Sequence, residues 1–367
     1  MESAEKRELL SLMPDELEAW VLSVGEAKYR AKQIFPQLHR GISPDAMTNL
    51  GKKLQEKLRE SFSWHLPEVE QKLVSALDGT VKYLFALADG NCVESVVMRY
   101  EHGNTICISS QVGCRMGCKF CASTIGGRVR DLSAGELLGQ VIAAQKDLGE
   151  RISNIVMMGI GEPLDNYENV LRFLRLVNLE SGLNIGYRHI SLSTCGLVDG
   201  IERLMEEDLP ITLSISLHAP DDETRSAIMP INRRWGVDAL LDACRAYFIK
   251  TGRRISFEYT LIAGKNDSVQ NAQKLARVLN AKLRSRTETM PIHVNLIPVN
   301  EVDETGFKHS SRDAVSAFAR VLESKGIRAT VRRKLGSDIN ASCGQLRRAA
   351  MKEKNGVDPK DTATDPA

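Results

Sequence analysis

The spacing of apolar residues divides the chain into three stretches with different periods. Up to about residue 66 the period is helical. Leu17, Trp20, Val21 and Val24 recur at three- and four-residue steps behind Pro14-Asp15-Glu16, a helix start with early acids. A second helix is predicted over 27–40, stopping at Gly41, and a third over 45–61 with Leu50, Leu54 and Leu58 on one side. Residues 68–100 change to short strand-like runs at 72–77, 81–86 and 92–98, separated by Asp78-Gly79 and Asp89-Gly90. Asp-Gly pairs between such runs favour hairpin turns.

From 105 to about 335 strands and amphipathic helices alternate. The pattern predicts strands at 105–110, 154–159, 189–195, 211–218, 256–262 and 293–299. Helices are predicted at 133–148, 166–179, 198–207, 237–251, 268–283 and 312–325. Strand–helix units in series imply parallel strands joined by right-handed crossovers. Six units fall short of the eight that close a barrel. The expected fold is therefore α/β, an open partial (βα)6 barrel, with functional residues at the C-terminal ends of its strands. The expected organisation is a helical accessory domain (1–66), a β-hairpin extension (67–104), the barrel (105–335), a glycine-flanked loop and basic segment (336–350) and a polar tail (351–367) expected to be disordered.

Composition narrows the class. With 43% hydrophobic and 26% charged residues in 367, wholesale disorder is excluded. No apolar run is long enough for a helical membrane span. The first residues do not read as a secretory leader, so the cytoplasm is the expected location. A net charge of +2 does not by itself announce a nucleic-acid partner. The distribution says more: Lys325 to Lys354 holds nine basic residues against two acidic ones. Such a segment is either a phosphate-binding face or a solubilising helix, and charge alone leaves both open. Lys28, Arg30, Lys32, Arg40, Lys52 and Lys53 make the N-terminal module a second RNA-contact candidate, with simple packing the alternative.

Eight cysteines in a reducing compartment are ligands or reactive thiols more often than disulfides. The sharpest cluster is Cys114-Arg-Met-Gly-Cys118-Lys-Phe-Cys121, just past the first barrel strand. Soft thiolates select zinc, copper(I) or iron–sulfur clusters. A closed zinc site needs four ligands; three thiolates on a four-iron cube leave one iron open for chemistry. This C-x3-C-x2-C spacing is the signature of radical S-adenosylmethionine (SAM) enzymes. Downstream strand ends offer Gly161-Glu162-Pro163, Ser193-Thr194-Cys195-Gly196, Ser216-Leu217-His218 and Pro298-Val299-Asn300. Alone, each would be an ordinary loop residue set; together they suit the amine, carboxylate, ribose and adenine of SAM. Cys343 stands in a polar loop, Gly336 to Leu346, where a core role is hard to argue. Cys107 by itself would be a small core residue, and Cys92, Cys195 and Cys244 read as structural.

Together the strings Cys107-Ile-Ser-Ser-Gln-Val-Gly-Cys114, Gly161-Glu162-Pro163, Ser193-Thr194, Ser216-Leu217-His218, Asn300 and Asp338-Ile-Asn-Ala-Ser-Cys343-Gly-Gln-Leu resemble the RlmN family. Its members are bacterial radical-SAM adenine C2-methyltransferases acting on 23S ribosomal RNA and tRNA. The resemblance runs from about residue 25 to 350. It implies a [4Fe–4S] cluster on Cys114, Cys118 and Cys121, and SAM bound by Gly161, Glu162, Ser193, Ser216, Leu217, His218 and Asn300. It further implies that Cys343 is methylated on sulfur by a first SAM, and that a radical from a second SAM activates this methyl for addition to C2. Glu94 would accept the C2 proton, and Cys107 would release the product by forming a disulfide with Cys343. A flavodoxin-type reductant, a monomeric state and no membrane partner are the accompanying expectations. The closely similar Cfr family methylates C8 of the same rRNA adenosine. Gly-Glu-Pro and Ser-Thr-Cys-Gly place this chain with the C2 group. A zinc-containing RNA-binding protein without catalysis is the reading from a different class.

Overall fold

The computed structural model describes residues 6–284, 290–299, 306–339 and 346–347. The N-terminal module holds α1 (Pro14–Ser23), α2 (Tyr29–Leu38) and α3 (Lys52–Ser61). The predicted 45–61 helix is shorter than expected: Pro44–Ala46 forms a single 3-10 turn, and α3 begins only after Gly51, whose extended backbone caps it.

Four strands follow: β1 (Glu68–Val74), β2 (Val81–Ala86), β3 (Cys92–Met98) and β4 (Asn104–Cys107). Then come α4 (Ala134–Leu148), β5 (Ile152–Met157), α5 (Tyr167–Asn178), β6 (Ile190–Thr194), α6 (Val198–Glu206) and β7 (Thr212–Ser216). After α7 (Asp222–Ile228) and α8 (Val237–Thr251) the chain continues through β8 (Ile255–Leu261), α9 (Val269–Leu283), β9 (His293–Pro298), α10 (Arg312–Ser324) and β10 (Arg328–Val331). All ten strands form one sheet in the order of the chain, β10 to β1. Strands β4 to β10 are parallel, and β1 to β4 antiparallel. The partial barrel is thus as expected, with two differences. The hairpin strands continue the barrel sheet rather than hanging from it. The short strand β10 adds a parallel edge that the pattern did not reveal, because only Ala329, Thr330 and Val331 separate Arg328 from Arg332-Arg333-Lys334.

Register separates the two faces of this sheet, since paired residues share a face and neighbours along a strand alternate. Val81, Tyr83, Phe85, Val93, Val97, Ile106, Ile155, Leu192, Leu213 and Phe257 form the face that packs on the helices. The opposite face runs Cys107↔Val156↔Ser191 and onward through Ser193↔Ser214↔Ser256↔His293 and Ser216↔Glu258↔Asn295. Its side chains bond to one another across strands: Ser191 with Ser214, Ser256 with His293, and Asn295 donating to Glu258 at 2.7 Å. Polar residues tolerate burial there because each finds a partner.

The module packs closely against the barrel. Glu8 accepts hydrogen bonds from Ser11 and from Ser133, the N-cap of α4, and Arg172 of α5 donates to Ser11 O and Glu16. Lys28, Lys32, Arg40, Lys52 and Lys53 remain exposed. No helix among the described residues is long and apolar enough to cross a membrane. The tail expected to be disordered lies outside the described residues.

Candidate functional site

The cysteine loop is held from both ends. Gln111–Gly113 pairs with Arg128–Asp131, and the Cys114 N–H donates to Gly127 O at 2.9 Å. Thr124 Oγ1 bonds to the carbonyls of Cys118 and Cys121, and Arg115 grips Asp165 through two nitrogens. Gln111 also donates to Asp165, which ties this loop to the one after β5.

That second loop needs its glycines. Gly161 has φ +104°, and a Cβ there would sit 2.6 Å from Gln111 Cβ. At Gly159 a Cβ would meet Ile108 O at 2.5 Å. Neither position admits a side chain without moving backbone. Glu162 then points both carboxylate oxygens inward: Oε1 accepts from the Leu164 N–H at 3.1 Å, Oε2 from the Cys195 N–H at 2.7 Å. Burial raises its pKa, opposed by these hydrogen bonds. The carboxylate therefore links the ends of β5 and β6, a task the sequence does not announce.

At the end of β7, His218 adopts φ +57°, a costly conformation for a residue other than glycine. The Thr260 N–H donates to its Nδ1 at 2.9 Å, which leaves the proton on Nε2. Burial, seconded by the nearby Arg225 charge, lowers its pKa to about 3, so the ring is a neutral donor. Ser193 Oγ and Ser216 Oγ lie 3.5 Å apart on the adjoining strand ends.

These groups surround one cavity of about 260 Å³. Its walls include Cys114, Cys118, Cys121, Gly161, Glu162, Ser193, Ser216 and His218. Leu217 is not among them: its side chain is buried in the apolar core, its N–H donates to Glu258 O, and its carbonyl accepts from Arg225. Asn300 and Cys343 lie outside the described residues. Burial pushes the Cys114 thiol up to about 12 and Cys118 well upward, with neighbouring thiols adding to the shift.

Three further residues belong to the site and escaped the sequence. Cys195 also lines the cavity, but its thiol hydrogen-bonds to Glu162. Glu258 contributes a second buried carboxylate from mid-strand, visible in the sequence only as a polar position within an apolar run. Arg225, on α7, is fully buried and donates to the carbonyls of Cys195, Ser216 and Leu217 and to Asn232 Oδ1. One guanidinium thus fastens the ends of β6 and β7 beside the cysteines.

Glu94 and Cys107 occupy the other flank of the same face. Cys107 pairs with Val96, two residues from Glu94. Cys107 packs with Val96, Met98, Val156, Met158 and Leu335. The Arg347 N–H donates to Glu94 Oε1 at 2.7 Å, so the chain just beyond Cys343 reaches this flank.

A partial parallel barrel with a three-thiol loop after its first parallel strand, facing a glycine-rich strand end across one cavity, defines a radical-SAM enzyme. Residues 108–276 match the model of the radical SAM superfamily, and residues 7–63 that of the ribosomal RNA large subunit methyltransferase N-terminal domain. A protein of Clostridium tetani named as a probable dual-specificity RNA methyltransferase RlmN is 53% identical over 95% of this chain and 97% of its own. A protein of the same name from Clostridium perfringens is 52% identical over 95% and 99%. A radical SAM methyltransferase from Sphaerobacter thermophilus superposes with a TM-score of 0.86 at 43% identity, covering 92% of this chain and 98% of the other. The chain belongs to the RlmN family of radical-SAM RNA methyltransferases.

A [4Fe–4S] cluster and SAM are the cofactors of this class, and the residues fit them. Cys114, Cys118 and Cys121 bring three soft thiol donors to the wall of one cavity, one for each of three irons of such a cube. The cavity beside them offers serine hydroxyls, a neutral imidazole donor and carboxylates, the complement of an amino-acid and ribose ligand.

Proposed function

We propose that this enzyme methylates C2 of an adenosine in 23S rRNA, in the peptidyl-transferase centre, and of an adenosine in tRNA. Cys114, Cys118 and Cys121 would hold the cluster. Gly161, Glu162, Ser193, Ser216, Leu217, His218 and Asn300 would hold SAM, Leu217 through its backbone. When bound, the cluster and SAM supply the radical that activates an inert methyl group, because the electron-poor C2 of adenine cannot itself attack a sulfonium.

The protein's own part is nucleophilic and acid–base. Cys343, as thiolate, takes a methyl group from a first SAM. Once that carbon is joined to C2, Glu94 takes the C2 proton; Cys107, as thiolate, then attacks the Cys343 sulfur, so that an S–S bond forms as the S–C bond breaks, the released carbon takes a proton to complete the methyl group, and an external reductant reopens the disulfide before the next turnover. The observation that carries this proposal is the meeting of three groups on one sheet face: Cys107, Glu94, and the Arg347 N–H bonded to Glu94. Arg347 is four residues past Cys343, a span of at most about 14 Å of chain. Leu335, within the basic Lys325–Lys354 segment, packs with Cys107, and the basic residues of that segment would clamp phosphates while the base is unstacked.

Mass spectrometry of Cys343 tests the covalent route. An added methyl on the protein as purified, and no turnover in Cys343→Ala, are expected; full activity in that variant would refute it. Digesting modified rRNA to nucleosides separates 2-methyladenosine from the 8-methyl product of a Cfr-like activity. Anaerobic purification decides the remaining alternative: a colourless zinc protein would exclude radical chemistry altogether.

A further inference from the structure

Among the described residues Lys82 is the one fully buried lysine, at 1% exposure, and its ammonium lies 3.1 Å from Glu94 Oε2. Register explains the meeting. Lys82 on β2 pairs with Val96 on β3, so Lys82, Val96 and Glu94 share the face that also carries Cys107. The other carboxylate oxygen takes the Arg347 N–H at 2.7 Å. Glu94 is therefore held at both oxygens, by a cation on one side and by the segment beyond Cys343 on the other.

Moving an ammonium and a carboxylate out of water is expensive, and an apolar pair of similar shape is often as stable. A strand interior gives no folding reason to prefer a lysine. Chemistry gives one. Val96, Met98 and Cys107 pack on the same face, and the buried Arg347 guanidinium adds a second positive charge near Glu94. The adjacent ammonium pairs with Oε2 and aims it. This inference rests on the assignment of Glu94 as proton acceptor and deepens it. We infer that Lys82 is the positioning residue of that base: its ammonium pairs with Oε2 and keeps the Glu94 carboxylate oriented until the C2–H bond breaks. At that step the bonding pair stays with the adenine and the proton forms an O–H on Glu94. Lys82 makes no covalent bond in this step.

The test uses the full-length enzyme with its cluster reconstituted anaerobically, SAM, and an unmodified transcript of the rRNA region. The readouts are the covalent protein–RNA adduct on a denaturing gel, the yield of methylated adenosine, and the Cys343 methyl by mass spectrometry. Glu94→Gln should accumulate adduct, because the joined intermediate cannot lose its proton. Lys82→Met should do the same, with product formation falling at least about 10-fold while the Cys343 methyl persists. Lys82→Gln keeps a hydrogen-bond donor without the charge and covers the case in which Lys82→Met fails to fold; it too should accumulate adduct. The double variant Lys82→Met/Glu94→Gln should be no slower than Glu94→Gln alone, since the lysine acts through the glutamate. If Glu94→Gln traps adduct while both lysine variants turn over at the wild-type rate, the role of Lys82 is refuted and that of Glu94 stands. If no variant traps adduct, the assignment of Glu94 falls and the inference with it.

Discussion

His39 and Cys195 show what single buried groups contribute. His39 caps α2 at 4% exposure, and burial lowers its pKa from 6.5 to about 4. The fold favours the neutral ring, so the unfolded chain binds the extra proton between those values. The stabilisation is complete above 6.5 and is lost as pH falls toward about 4, amounting to about 2 kcal/mol at about pH 5. His39→Gln should remove that share of the acid sensitivity. Urea midpoints at about pH 5 and about pH 7.5 would measure it, and equal slopes for variant and wild type would contradict it. Cys195 lines the cavity beside three candidate ligands but spends its thiol on Glu162. Cys195→Ala should keep about four irons per chain, as a [4Fe–4S] cluster requires, and Cys118→Ala should not. Iron analysis after anaerobic reconstitution distinguishes the two. The C-x3-C-x2-C spacing marks Cys118 as a ligand; Cys195 stands in the Ser193–Gly196 strand-end motif, but nothing there announces its bond to Glu162, because that partner is remote in the chain.

Among the elements, α7 matters beyond its seven residues. Its sequence, DETRSAI, carries too few apolar positions for a helical period, and it reads as a loop between a strand end and the next helix. Asp221 caps it by accepting from the Thr224 N–H, and this turn delivers Arg225 into the core. There the guanidinium satisfies three strand-end carbonyls and Asn232 at once. Each buried acceptor left unpaired costs about 1–3 kcal/mol. Arg225→Met should therefore destabilise the metal-free protein by about 3 kcal/mol or more. Denaturant unfolding would show it, and a loss within about 0.5 kcal/mol would mean that the strand ends are held by other means. The neighbouring β6 and β7 were legible because their apolar alternation is strong; the cation that joins their ends was not.

At the scale of the molecule, the sheet and the module form one body. The module covers α4 and α5 with Leu9, Leu10 and Leu12, and Glu8 sits at the N-terminus of α4, where the helix favours a negative charge. Deleting residues 1–66 should leave that apolar surface open. The truncated protein should unfold at lower temperature and aggregate on scanning calorimetry, whereas a merely tethered module would leave the melting temperature unchanged. The sequence by itself determined the order of the strands and helices other than α7 and β10, the partial barrel and the thiol loop, because each follows from local period or local spacing. Only the tertiary structure decided which polar residues share the inner face, that the hairpin strands extend the barrel sheet, and that Lys82, Glu94 and Arg347 meet. Those outcomes depend on register between strands and on contacts between residues up to 253 positions apart. A one-residue slip in register would reverse every one of those faces, and nothing local in the chain records it.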